Sequence, residues 1–211
     1  MKLIKILPNL LTILNGFCGT LAILGISMGI GTQIQLLCLV LIGAMLDFFD
    51  GYFAKILNVK SKIGAQLDSL SDLITFSLVP SFFIFDFFQS KTIEIELLPF
   101  ISLLIVPFSM IRLARFNTLP SKPYFLGLPT PANGIFFMGI PFLSFEISSE
   151  LLILIIIFAC FLLVSNIKLE SFKDSNQISN KNIFYVIVVF LLIFSVSTLF
   201  IYNFSLLNMI S

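Results

Sequence analysis

Histidine and tryptophan are both absent from this chain of 211 residues, and charged side chains are scarce. Without histidine, no imidazole is available as a general base, a nucleophile or a metal ligand. Charged residues make up 11% of the chain, whereas a typical soluble domain contains about 25%. Because 58% of the residues are hydrophobic, the composition predicts an integral membrane protein. The net charge of +1 gives no reason to expect a nucleic-acid partner.

The cysteines also offer no site of their own. Cys18, Cys38 and Cys160 all fall in apolar stretches and lack the spacing of a metal site. We interpret them as small apolar packing residues.

Long apolar runs divide the chain into membrane spans, since about 20 apolar residues are needed to cross the hydrocarbon core. The sequence predicts spans at residues 9–28, 33–57, 66–88, 97–116, 132–147, 150–166 and 182–203. The predicted fold class is therefore all-α: a polytopic transmembrane helical bundle in one domain, with a six-helix core and one or two C-terminal spans. The fifth and sixth spans are short, and we expect a tight hairpin between them near Glu146–Glu150.

Lysine and arginine set the predicted orientation, because the cytoplasmic loops of membrane proteins are enriched in these residues. With the N-terminus inside, every lysine and arginine except Lys91 falls on the cytoplasmic side. The polar segment 168–181 is then a cytoplasmic loop. Residues 47–72, which carry the most unusual feature of the chain, lie near the cytoplasmic face.

This segment places four carboxylates in sequence that otherwise has the composition of membrane helix. Each ionisable group at membrane depth costs on the order of 2.5–3.5 kcal/mol, so four of them imply a cationic partner. Two pairs are spaced so that each shares a helix face: Asp47 with Asp50, and Asp68 with Asp72. Polar residues around Asn58 indicate a turn between the two helices. We therefore expect both pairs to converge at one depth.

An all-oxygen site of this kind suits hard divalent cations such as Mg²⁺, Mn²⁺ or Ca²⁺, and four carboxylates can hold one or two ions. The small residues Gly51, Ala54 and Gly64 lie between the pairs, where they allow a ligand to approach closely. Lys55 adds a cation one turn beyond Asp50. Bound metal, a cation and small residues together are suited to a polyphosphate substrate.

Other interpretations fit parts of this pattern. An aspartate at a helix end often caps the helix or reaches the membrane interface, which explains one such residue better than four. Intramembrane carboxylates also line ion or proton pathways in transporters, and the residues alone leave that class open.

The spacing D-x2-D-G-x2-A-[basic]-x8-G-x3-D-x3-D resembles the signature of the CDP-alcohol phosphotransferases. Here it is formed by Asp47, Asp50, Gly51, Ala54, Lys55, Gly64, Asp68 and Asp72. Members of this family are membrane enzymes that displace CMP from a CDP-activated lipid or alcohol, using a second alcohol as acceptor. Lys55 departs from the pattern, since the family usually has arginine there. Lysine keeps the positive charge but loses the bidentate fork of a guanidinium.

Further stretches resemble the bacterial and archaeal members that use serine as the acceptor. They are residues 8–15 (PNLLTILN), 112–117 (RLARFN) and 127–132 (GLPTPA), and the resemblance covers residues 8–140. It implies a bacterial or archaeal cell-membrane enzyme that transfers the phosphatidyl group of CDP-diacylglycerol to L-serine. Membrane lipids and a second copy of the chain, in a homodimer, are the other implied partners. A relative that uses glycerol-3-phosphate or inositol phosphate is the nearest alternative.

The resemblance also implies roles for individual residues. The four aspartates hold one or two divalent metal ions, and Asp72 is in addition the general base that takes the proton of the acceptor hydroxyl. The CDP group is bound by Asn9, Thr12, Gly51, Ala54, Lys55 and Gly64. For the acceptor or the lipid phosphate, the candidates are Arg112, Arg115, Asn117 and Thr130. A zwitterionic acceptor needs a cation in its site, although the two arginines also fit the role of cytoplasmic membrane anchors.

Overall fold

The computed structural model describes residues 6–59, 61–90, 96–118, 124–143 and 147–170. Nearly all of these residues are helical. The α-helices are α1 (Leu7–Met28), α2 (Gln33–Ile56), α3 (Lys62–Leu73), α4 (Val79–Gln89), α5 (Ile105–Thr118), α6 (Thr130–Gly139) and α7 (Ser149–Val164). A π-helical turn, Ile74–Leu78, joins α3 to α4, while 3₁₀ segments precede α5 (Leu98–Leu104) and follow α6 (Ile140–Phe142).

These elements form the helical bundle that the apolar runs predict. Within the described residues, four continuous helical segments are long and apolar enough to cross a membrane: Leu7–Met28, Gln33–Ile56, Lys62–Gln89 and Leu98–Thr118. As predicted, the fifth and sixth spans are shorter, and α7 has 16 residues. The predicted span at 182–203 lies outside the described residues, as does part of the predicted hairpin near Glu146–Glu150.

The outward-facing surface of the bundle is apolar, which fits contact with lipid. Phe48, Leu154 and Phe161 are each more than 60% exposed. Several serine and threonine side chains are instead buried and donate to the backbone of a neighbouring element, as Ser71, Thr75 and Ser81 do. This arrangement is expected in a bilayer, since polar side chains hydrogen-bond across helices that lipid cannot solvate.

Close packing between α1 and the third span positions the acidic segment. A Cβ atom on Gly19 would lie 2.6 Å from Thr75 Oγ1 and 2.8 Å from Thr75 Cα, so only glycine permits this approach. The hydroxyl groups of Ser71 and Thr75 donate to the carbonyl oxygens of Thr12 (2.8 Å) and Asn15 (2.9 Å). Small residues and interhelical hydrogen bonds thus hold α1 against α3 and the π-helical turn.

The chain reverses between α2 and α3 at the predicted place. Asn58 has a φ of 52°, in the left-handed region that asparagine tolerates better than most residues. The Ser61 hydroxyl then accepts a hydrogen bond from the backbone N–H of Gly64 at 2.9 Å, which caps the start of α3. This turn returns the chain so that α3 can bring its carboxylates to those of α2.

Two predictions about the second half of the chain are wrong. Residues 168–170, predicted as the start of a polar loop, form a short antiparallel ladder with residues 124–126. Three-residue strands are too short to show alternation, and their pairing joins segments far apart in sequence. The fifth span also ends earlier than residue 147, because α6 passes into a 3₁₀ segment that finishes at Phe142.

The contact between α6 and the π-helical turn makes a testable prediction. A Cβ on Gly134 would lie 2.6 Å from the carbonyl oxygen of Phe76 and 2.8 Å from the Cα of Phe76. These are backbone atoms, so they cannot move away by a side-chain rotation. We expect Gly134→Ala to lower the free energy of unfolding by about 1–3 kcal/mol, measured as a lower melting temperature in detergent. Gly139→Ala in the same helix is the control, since its Cβ would meet nothing within 4 Å. Equal stability of both variants would contradict this packing.

Candidate active site

Carboxylates from α2 and α3 meet at one point in the bundle. Oxygen atoms of Asp47, Asp50 and Asp68 all lie within 4.8 Å of one another. Asp72 completes the group, because its carboxyl lies within hydrogen-bonding range of Asp47. The two pairs therefore converge, as their spacing predicts.

The composition of this cluster fits a hard divalent cation. Asp50 and Asp72 are buried, whereas Asp47 and Asp68 are half-buried, so the cluster can be reached from one side. Asp72 Oδ1 is buried and has no hydrogen-bond partner among the described residues. Carboxylate oxygens held this close repel one another, and Mg²⁺ or Mn²⁺ prefers such ligands. Asp47, Asp50 and Asp68 are the residues best placed to hold an ion.

Thr12 contacts this cluster directly from α1. Its Oγ1 lies 2.5 Å from Asp50 Oδ2 and 3.0 Å from the carbonyl oxygen of Pro8. The hydroxyl group has one proton, so donation to the carboxylate competes with donation to the helix backbone. A partner of this kind orients a carboxylate ligand toward a metal.

The other residues predicted to bind CDP lie on α1, α2 and α3, the helices that carry Thr12 and the aspartates. The side-chain oxygen of Asn9 would lie 3.0 Å from a Cβ on Gly64, so α1 and α3 adjoin there. Gly51 is exposed, and a Cβ there would meet nothing within 4 Å. Ala54 is half-buried, and Lys55 is exposed in the last turn of α2. Their role in binding a nucleotide stays a prediction.

The four residues predicted for the acceptor or the lipid phosphate separate into two groups. Arg112 Nη1 donates to Thr130 Oγ1 at 2.7 Å, which joins α5 to the first residue of α6. The charge of Arg112 also acts on Asp72. Thr130 is thus bonded to an arginine whose charge acts on one member of the aspartate cluster.

Arg115 and Asn117 bond to residues of other elements, at the end of α7 and on α3 respectively. Arg115 donates to the carbonyl oxygen of Val164 at 2.8 Å and to Asn166 Oδ1 at 3.1 Å, so it holds the end of α7. Asn117 Nδ2 donates to Ser69 Oγ at 2.9 Å and thereby ties α5 to α3. Binding of acceptor or lipid phosphate by these two residues stays a prediction.

Sequence reasoning assigned no role to three fully buried polar residues near the site. Asn15, Ser109 and Asn133 are 0% exposed, and their side-chain polar atoms have no hydrogen-bond partner among the described residues. Each lies three positions along a helix from a predicted site residue: Asn15 from Thr12, Ser109 from Arg112, and Asn133 from Thr130. A polar residue at that spacing in an apolar span is the sequence signal that indicates them.

Comparison with known proteins now identifies the family. The model of the CDP-alcohol phosphatidyltransferase family matches residues 5–167. The chain belongs to this family. The resemblance to this family is thereby confirmed.

Relatives of this CDP-alcohol phosphatidyltransferase come from bacteria and archaea. The CDP-diacylglycerol–serine O-phosphatidyltransferase of Bacillus subtilis (strain 168) is 37% identical over 172 residues, covering 79% of this chain and 91% of the relative. The enzyme of the same name from Helicobacter pylori (strain ATCC 700392 / 26695) is 34% identical over 87% of this chain and 79% of its own. That of Methanocaldococcus jannaschii is 33% identical over 82% and 77%, respectively.

The contact between Thr12 and Asp50 leads to a second prediction. Thr12→Val removes the hydroxyl at nearly constant volume, so Asp50 loses the group that orients it. We expect the metal concentration for half-maximal activity to rise by about 10–100-fold, while Thr12→Ser keeps the wild-type value. Thr20→Val is the matched control on α1, because the Thr20 hydroxyl donates to the carbonyl oxygen of Gly16 in its own helix. An unchanged metal dependence in Thr12→Val would contradict this role.

Proposed function

We propose that this protein transfers the phosphatidyl group from CDP-diacylglycerol to L-serine, forming phosphatidylserine and CMP. The observation that carries the proposal is the convergence of Asp47, Asp50 and Asp68, with Asp72 beside Arg112. Membership of the family and the names of the relatives support the same reaction.

Asp72 is the general base of the proposed reaction. It accepts the proton of the serine hydroxyl, directly or through a water molecule. The serine oxygen then attacks the β-phosphorus in line, a new P–O bond forms, and the P–O bond to CMP breaks. The burial of Asp72 and its interactions with Asp47 and Arg112 support this role.

Asp47, Asp50 and Asp68 would hold the metal ion, and the nucleotide would bind beside them. A divalent ion held by Asp47, Asp50 and Asp68 would neutralise the charge that develops on the diphosphate. In this proposal Asn9, Gly51 and Gly64 bind the CDP group, and Lys55 supplies a positive charge to its phosphates. No covalent enzyme intermediate is required.

The membrane arrangement supports entry of the two substrates from different directions. CDP-diacylglycerol enters laterally with its acyl chains in lipid, and serine arrives from the cytosol. The distribution of lysine and arginine along the sequence favours a site at the cytoplasmic face. The family resemblance adds a homodimer to this proposal, which the mass of the protein in detergent would test.

The deciding experiment uses purified protein with CDP-diacylglycerol, radiolabelled serine and a panel of divalent ions. We expect phosphatidylserine and CMP in equal amounts. Parallel reactions with glycerol-3-phosphate or inositol phosphate test the nearest alternative, and cation flux into liposomes tests the transporter interpretation. Product from another acceptor but not from serine would overturn the proposed acceptor. Flux without CMP release would overturn the reaction.

The separation of the two arginines leads to a third prediction. Arg112 bonds Thr130 and its charge acts on Asp72, whereas Arg115 holds the end of α7. We expect Arg112→Ala to raise the KM for serine by about 10–100-fold, the effect of losing a charge-assisted hydrogen bond. Arg115→Ala should have a much smaller effect in the same steady-state assay. An equal rise in both variants would place Arg115 in the acceptor site as well.

A further inference from the structure

Two buried polar side chains on α5 and α6 have no hydrogen-bond partner among the residues that the structure describes. Ser109 and Asn133 are both 0% exposed. Neither the Ser109 hydroxyl nor the Asn133 amide has a hydrogen-bond partner in the part of the chain that the structure describes. Buried polar groups are normally paired because an unmade hydrogen bond destabilises the fold, so each exception requires an explanation.

The positions of these residues on their helices place them together. Ser109 precedes Arg112 by three residues on α5, and Asn133 follows Thr130 by three residues on α6. Residues at this spacing share a helix face, and the 2.7 Å bond between Arg112 and Thr130 joins the two faces. Because α5 ends beyond Arg112 and α6 begins at Thr130, Ser109 and Asn133 both lie one turn deeper in the bundle.

The same depth is reached by the residues that follow Asp72. The close approach of Gly134 to the backbone of Phe76 holds α6 against the π-helical turn, one turn beyond Asp72. Three elements therefore meet here: α3 contributes Asp72, α5 contributes Arg112 and Ser109, and α6 contributes Asn133. Asp72 Oδ1 and Arg112 Nε also have no hydrogen-bond partner among the described residues.

We infer that Ser109 and Asn133 form the inner end of the acceptor site and bind the ammonium group of a small zwitterionic amino alcohol. This inference rests on the proposed function and adds two specificity-determining residues to it. Arg112 offers its Nε–H to the carboxylate of the acceptor, and Asp72 takes the hydroxyl proton. Ser109 Oγ and Asn133 Oδ1 are neutral acceptors for the N–H groups of the ammonium.

Neutral partners suit an ammonium group at this position. A carboxylate there would form an ion pair with the ammonium and add a further negative charge beside four aspartates. Ser109 and Asn133 instead hold the ammonium away from Asp72, which leaves the base free for the hydroxyl. An acceptor without an ammonium leaves both residues unpaired, and sites built to hydrogen-bond a substrate group reject analogues that lack it.

The test compares Ser109→Ala and Asn133→Ala with the wild type, using L-serine and its deamino analogue 3-hydroxypropionate. We expect both variants to raise the KM for serine about ten-fold and to reduce the preference for serine over 3-hydroxypropionate. The KM for CDP-diacylglycerol should not change. Ser81→Ala is the matched control. Ser81, on α4, is also 0% exposed, but its hydroxyl donates to the carbonyl oxygen of Ser102 at 3.0 Å.

The outcomes separate this inference from the proposed function. If the wild type forms no phosphatidylserine, the proposed function fails. If the wild type forms it and the folded variants keep both the serine KM and the preference, then Ser109 and Asn133 pair only with internal water and the inference is overturned. Ser109→Ala removes a single oxygen atom, so it decides the matter alone should Asn133→Ala fail to fold.

Discussion

Asp72→Asn is expected to lower the rate of phosphatidylserine formation by about 10²–10⁴-fold, the contribution typical of a general base. Asparagine has nearly the same shape as aspartate, but it cannot accept the proton of the serine hydroxyl. Asp68→Asn is expected to have a comparable effect, since Asp68 lies within 4.8 Å of Asp47 and Asp50 in the carboxylate cluster. The measurement is CMP release by purified protein at saturating substrates.

Asp86→Asn provides the matched control for these variants. Asp86 lies on α4 in the same span, but it is exposed and far along the chain from the cluster. It should keep wild-type activity. All three variants should elute from a sizing column like the wild type, which separates loss of chemistry from loss of fold. Full activity in Asp72→Asn would remove Asp72 from its role as the base.

Chelation of divalent cations is expected to abolish the activity, and addition of Mg²⁺, Mn²⁺ or Ca²⁺ should restore it. Four neighbouring carboxylates with one arginine beside them repel a diphosphate unless cations are bound. The same addition should raise the melting temperature of the chelated wild type, because a ligand that binds only the folded state stabilises it.

Asp47→Asn supplies the control for this second experiment. It removes one ligand from the cluster that Asp47, Asp50 and Asp68 form, so the metal-dependent rise in melting temperature should shrink or disappear. Wild-type protein that stays fully active after chelation, with metal analysis showing no bound cation, would contradict a metal site at these aspartates.

Several features of the fold and site follow from local sequence patterns. Apolar runs predict the spans, because a bilayer accepts only helices whose backbone groups bond within the segment. The spacing of the aspartates and the turn at Asn58 predict that carboxylates from α2 and α3 converge, because helix periodicity places residues three or four apart on one face. The end of the fifth span and the short ladder of residues 124–126 with 168–170 cannot be predicted from local patterns, since they depend on contacts between distant segments.

The partners of the two arginines could not be predicted from local sequence patterns. Arg112 and Arg115 are three residues apart and share a helix face in the sequence, yet one contacts Thr130 and the other contacts Val164 and Asn166. The choice depends on how α6 and α7 pack against α5, and no periodicity encodes that. The contact of Thr12 with Asp50, across 38 residues, is of the same kind.

The sequence by itself determined that this protein is a membrane-embedded helical bundle with an acidic cluster of its family's type, because hydropathy and helical spacing act over short stretches. Only the tertiary structure decided which polar residues face that cluster. Thr12 contacts Asp50 and Arg112 contacts Thr130 because helices distant in sequence pack together there, and that packing is a property of the whole bundle.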